Sequence, residues 1–145
     1  MNQKGQEEAG FRLIVEAVLV VFILVIILSV VSQISEWRFQ ISQRRLMEGF
    51  KKAIETPDGT VVVENELVLK QGSMYSARAF SNNVTGMQPE CIEIQASQST
   101  AFKVTNKKVI EITTWLQTNV YYQCLLGKLG CDTHCTISFG EELES

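Results

Sequence analysis

The one histidine of the chain, His134, stands beside Cys135 in the run Cys131-Asp-Thr-His-Cys135. With Cys124 these residues supply the donor types of a Cys3His zinc site. The spacing argues against it, because adjacent ligands point in different directions and no C-x2-C knuckle exists. Three residues rather than two separate Cys131 from Cys135, which is not the spacing of a thioredoxin-like redox pair. His134 has the chemistry of a general base, yet no G-x-S-x-G marks a nucleophile for it, and neither a P-loop nor a G-x-G-x-x-G run occurs. Glu64, Glu66, Glu90 and Glu93 read as solvated strand faces. The sequence therefore offers no catalytic residue, no metal site and no cofactor, and it reads as a non-enzyme.

What the cysteines offer instead is cross-linking. Cys91, Cys124, Cys131 and Cys135 form an even set within one small domain, which points to two disulfides and an oxidising, external location. Three pairings are open, and the one favoured here joins Cys91 to Cys124 across the fold and closes a small ring between Cys131 and Cys135. The sequon Asn83-Val84-Thr85 makes Asn83 a glycosylation candidate and fits the same exposure.

These residues are carried by a chain organised around residues 11–31, FRLIVEAVLVVFILVIILSVV, in which only Arg12, Glu16 and Ser29 are not apolar. As a helix this stretch covers roughly 30 Å, the thickness of a bilayer's hydrocarbon core. It lacks the polar stripe of a helix packed on a soluble core, so a transmembrane helix in contact with membrane lipid is expected. Arg12 and Glu16 lie one turn apart and can pair on one face near the membrane edge. Charge is expensive in lipid, about 2.5 to 3.5 kcal/mol even on insertion scales, so the second reading keeps Glu16 for a polar partner in an assembly.

Ahead of that helix, residues 1–10 form a polar leader, MNQKGQEEAG, in which Lys4-Gly5 directly precedes Gln6. This leader and the apolar run resemble the class III (prepilin-type) signal peptides of type IV pilins, archaeal pilins and archaellins. The resemblance implies cleavage by a prepilin peptidase between Gly5 and Gln6, with retention of the helix and assembly through it beside other pilin-like subunits, homo- or hetero-oligomeric. A cut after Gly10 is the bacterial version, with Phe11 first and Glu16 five residues on.

Positive charge bears on orientation. Arg38, Arg44, Arg45, Lys51 and Lys52 follow the span, which by the positive-inside rule alone would place the C-terminal domain in the cytoplasm. The cysteines, the sequon and the prepilin resemblance place it outside, and that is the orientation expected here. The net charge of −3 provides no basic footprint for nucleic acid. Secretory cleavage near residues 30–32 would instead release a soluble domain, but the apolar run is longer than a usual signal core.

Beyond the span, residues 32–55 carry Ile34, Trp37, Ile41, Met47, Phe50 and Ile54 at helical spacing, which predicts an amphipathic extension of the same helix. Thr56-Pro57-Asp58-Gly59 ends it. The remainder, residues 56–145, turns to period two. Strands are predicted over residues 60–63 and 66–70 as a hairpin about Glu64-Asn65, then over 75–81, 91–95, 101–105 paired with 109–114, 120–125 and 136–139. A short helix over residues 115–126 is the alternative for the penultimate strand. The fold class expected is α+β: a long N-terminal transmembrane and amphipathic helix followed by a small antiparallel β-sandwich of immunoglobulin-like architecture. Two function classes follow, a pilin-like structural subunit or a single-span anchored external domain for ligand binding or adhesion.

Overall fold

The computed structural model describes the backbone of residues 3–144 and side chains from Gly5 onward. Met1, Asn2 and Ser145 lie outside the described residues, as do the side chains of Gln3 and Lys4, so the beginning of the predicted leader is not covered. The chain divides into two compact units, Met1–Trp37 and Arg38–Ser145. The first helix, α1 (Gln3–Glu55), contributes to both.

In the first unit α1 holds the apolar run, whose most apolar eighteen-residue stretch has a mean hydropathy of 3.3. By length and composition it can cross a membrane. Two hydroxyls in and just after it are satisfied locally: Ser29 Oγ donates to the Val25 carbonyl at 2.9 Å and Ser32 Oγ to that of Ser29 at 2.8 Å. Such back-bonding lets a hydroxyl sit on a helix without needing water.

In the second unit the remainder of α1 turns one stripe inward. Ser42, Leu46, Phe50 and Ala53 are buried at spacings of four, four and three residues. The predicted periodic set is thereby split, because Met47 and Ile54 are half-buried whereas Ile34, Trp37 and Ile41 remain exposed. The Val68 amide donates to Ser42 Oγ at 2.9 Å, and Tyr122 donates its hydroxyl to the Leu46 carbonyl at 2.7 Å. Both bonds fix this part of the helix against the strands that carry Val68 and Tyr122. Gly49 makes room for them, since a Cβ there would stand 2.8 Å from the Tyr122 ring.

Among the described residues seven strands form two sheets: β1 (Asp58–Leu69), β2 (Met74–Ser76), β3 (Ile92–Ala96), β4 (Phe102–Thr105), β5 (Val109–Ile112), β6 (Leu116–Leu126) and β7 (Thr133–Phe139). The four-stranded sheet has the order β1-β6-β7-β3 and the three-stranded sheet β2-β5-β4. The domain is thus α+β, as expected, but one pairing departs from the antiparallel expectation: β3 runs parallel to β7, Ile92 opposite Cys135 through Ala96 opposite Phe139. One core, including Phe50, Phe80, Ile94, Ile110, Tyr122 and Ile137, is shared by α1, both sheets and the short helix α2 (Ala77–Asn82).

Three local predictions need correction. The hairpin about Glu64-Asn65 is a single strand, β1, with a bulge between Glu64 and Leu67. A tight two-residue hairpin of the favoured kind needs positive φ at both central residues. In this stretch only Glu66 adopts it, and its amide is held at 3.0 Å by Asn119 Oδ1 of β6. The strand over 75–81 is cut short at Ser76, whose side chain accepts from the Ala79 amide at 3.1 Å and caps α2. The helical alternative for residues 115–126 is excluded, because Leu116–Leu126 form the long strand β6 between β1 and β7. The hairpin over residues 101–114 is observed, with Asn106 and Lys107 at positive φ in its turn.

Candidate functional site

The candidate assembly site is the first part of α1. Gly5, Gln6 and Gly10 are helical and exposed, and a Cβ on either glycine would meet nothing within 4 Å. Arg12 and Glu16 are four residues apart and hence on one face, both exposed. Around them the apolar side chains are uncovered on every side, from Phe11 at 68% to Val15 at 40%. None of the described residues buries that surface. A contiguous exposed apolar area of this extent marks a membrane or a partner.

The second group of candidates lies in the head domain, Arg38–Ser145. All four cysteines are oxidised, but the pairing differs from the one favoured by sequence: Cys91 is joined to Cys131 and Cys124 to Cys135. Cys124 and Cys135 face each other across β6 and β7 with their Cα atoms 4.1 Å apart. A ring between Cys131 and Cys135 does not form, because β7 begins at Thr133 and its register sets Cys135 opposite Cys124. Cys131, in the β6–β7 loop, instead reaches the 3-10 turn Pro89–Cys91 that leads into β3. No thiolate remains for the Cys3His arrangement. Among the described residues no cluster of three His, Cys, Asp or Glu is placed to hold a metal.

His134 is buried on β7. Burial lowers its pKa, Lys128 lowers it further and Glu93 opposes them, so the ring is held towards its neutral form. Glu64 faces the helix, where Arg45 Nη2 lies 3.1 Å from its carboxylate and also donates to the Asn65 carbonyl at 2.9 Å. Glu93 pairs with Lys107 at 3.4 Å. The buried Tyr122 phenol lies near Glu64, and its pKa is driven upward by burial and then by that charge, which leaves it a hydrogen-bond donor rather than a base.

Asn83 closes α2 and is exposed together with Thr85. Its amide nitrogen donates to the Ala79 carbonyl at 2.8 Å. A neighbouring cleft of about 220 Å³ is lined by Ile54, Met87, Gln88 and the Cys91–Cys131 bridge. That is below the roughly 300 Å³ at which small-molecule pockets usually begin.

Two structural groupings were not legible in the sequence. The Lys108 ammonium, from the β4–β5 turn, donates to the carbonyls of Pro89 at 3.1 Å, Glu90 at 3.1 Å and Ile92 at 2.6 Å, fastening the turn that carries Cys91. Phe39 and Trp115 meet edge to face with ring centres 6.5 Å apart, and the Lys70 ammonium lies 5.8 and 5.9 Å from them. A single lysine among thirteen basic residues carries no signal of either role in its local sequence. No family model matches this chain, and neither a curated protein nor a solved structure matches it.

Proposed function

We propose that this chain is a pilin-like structural subunit, matured by a prepilin peptidase and assembled through its apolar helix into a cell-surface filament or pseudopilus of archaeal type. In this reading the head faces outward as a two-sheet sandwich, and the chain is a membrane-anchored protein until it assembles. The observation that carries the reading is the uncovered apolar surface of residues 11–31, joined to a head whose own core is complete. An all-round apolar helix leaves lipid only if other helices replace the lipid contacts, and Glu16 then gains a polar partner inside the bundle. The two disulfides fit a head that works outside the reducing cytosol.

Intact-mass analysis of protein extracted from membranes tests maturation: loss of residues 1–5 is expected, and an uncut amino terminus on a solitary chain would turn the reading to the single-span anchored binding domain. Glu16→Ala tests assembly. Filament incorporation should be lost while membrane insertion persists, and normal filaments from Glu16→Ala would overturn the assembly role of Glu16.

A further inference from the structure

We infer that the outer face of α1 within the head, from Ile41 to Glu55, is a contact surface for the same face of a second copy of this chain. The inference rests on the assembly reading proposed above. Ile41, Arg44, Glu48, Lys51 and Glu55 follow one another at spacings of three, four, three and four residues, which sets them in a row on one side of the helix. The row is about 21 Å long. All five residues are exposed, Ile41 at 58%, on the side away from the buried Ser42, Leu46, Phe50 and Ala53. The charges in the row alternate in sign from Arg44 through Glu48 and Lys51 to Glu55. Their spacing would let them pair along their own helix, yet among the described residues none of the four makes an ion pair. Arg45 and Lys52, one position further on, instead reach the Glu64 carboxylate at 3.1 and 3.9 Å. The helix thus commits one pair of cations to its own domain and leaves the alternating row open.

The alternation names the occupant. A row of one sign fits a partner of the opposite sign, whereas an alternating row complements a copy of itself. Two copies side by side in register would oppose like charges. A shift by half the seven-residue repeat, about 5 Å, sets Arg44 against Glu48, Glu48 against Lys51 and Lys51 against Glu55. An antiparallel two-fold pair would match charges as well, but the subunits of a polar filament repeat by a screw operation, which places no such two-fold between neighbours. The shifted contact uses different residues on its two sides, so it is heterologous and propagates. Charge pairs of this kind fix register more than they add affinity, and the apolar helix supplies the association itself.

To test this, a tagged heavy-nitrogen full chain and an untagged unlabelled one are reconstituted together in phosphatidylcholine vesicles and treated with a carbodiimide, which joins a carboxylate to a lysine amine only where they touch. Peptides with one heavy and one light arm should link Lys51 to Glu48 and to Glu55 between copies. A second measurement reverses the charges. Arg44→Glu with Lys51→Glu makes the row acidic, and Glu48→Lys with Glu55→Lys makes it basic; all four sites are exposed, so the head should fold in both variants. Captured in mild detergent, a tagged basic-row chain should recover the acidic-row chain in excess over an equal amount of untagged basic-row chain. Equal recovery of the two, or no link between copies from Lys51 to Glu48 or Glu55, overturns this contact and leaves assembly through the apolar helix standing. A tagged wild-type chain that recovers no untagged copy overturns the assembly reading and the contact together.

Discussion

Residues 11–31 and residues 38–55 belong to one helix and are both rich in apolar side chains, yet they meet opposite fates. In the first stretch Leu, Val, Ile and Phe are exposed all round; in the second, Leu46, Phe50 and Ala53 are wholly buried while Ile41, Arg44, Glu48 and Lys51 face outward. What separates them is angular distribution, not apolar content. A narrow stripe recruits a core from its own chain, whereas a cylinder with no polar side requires an apolar surrounding that the chain cannot supply.

The sharpest way to break that contrast is to truncate one apolar side chain in each stretch. Phe50→Ala removes a ring packed on Phe80 at 5.2 Å and should cost the head about 3–5 kcal/mol in denaturant unfolding, with flotation on vesicles unchanged. Leu24→Ala should leave head unfolding untouched, since Leu24 is exposed. A shift in head stability from Leu24→Ala would mean that the two stretches share a core after all.

Next in size are the cross-links, which belong to the head alone. Replacing Cys91 and Cys131 together by Ser should cost about 2–4 kcal/mol. The loss should exceed that from Cys124 and Cys135, because a 40-residue separation is closed rather than one of 11. On the loop-entropy argument the two cross-links differ by about 1 kcal/mol. Equal unfolding midpoints for the two double variants would show that loop length is not what sets their contributions.

A single substitution with opposite signs in the two units sharpens the contrast further. At Gly49 a methyl group would press on the Tyr122 ring, which is buried and cannot yield, so Gly49→Ala should destabilise the head by about 1–3 kcal/mol. At Gly10 a methyl group meets open space, and Gly10→Ala should favour the helix by up to about 1 kcal/mol. Circular dichroism of each variant in detergent checks both directions.

How much of this was legible in sequence depended on whether the determinant was local. The apolar run, the end of α1 at Pro57 and the turn at residues 106–108 each carry their own signal, in composition or in turn chemistry, and each is found in the structure. The continuous strand β1 was missed because its bulge is stabilised from β6, by Asn119, far along the chain. The short α2 was missed because the Ser76 cap was outweighed by the aromatic and small residues around it. The disulfide pairing was missed because it follows from strand register, and register is set by partners that periodicity does not name. Among the candidate site residues, Gly5, Gln6, Arg12 and Glu16 are exposed on α1, and the roles proposed for them depend on partners outside the chain.

The smallest effect isolates a group that only the folded head creates. His134 is neutral-favouring because burial, and then Lys128, penalise its charged form. The unfolded chain takes up that proton near pH 6.5, whereas the folded head does so only at lower pH. Between those two points the unfolded state binds more protons, so falling pH favours unfolding. The stability tied to the neutral ring is therefore complete above about pH 6.5 and is withdrawn as pH drops towards the folded value. Asp58, whose pKa is lowered by hydrogen bonds from Thr60, acts in the same direction, but in the carboxylate range below about pH 4. A comparison of urea midpoints between about pH 5 and pH 7 thus reads His134 with little contribution from Asp58. The midpoint of the wild-type head should fall as pH falls across that window, and His134→Gln should flatten the slope whatever it does to the midpoint itself. A slope that survives in His134→Gln would assign the proton to another group and leave the buried imidazole with a packing role only.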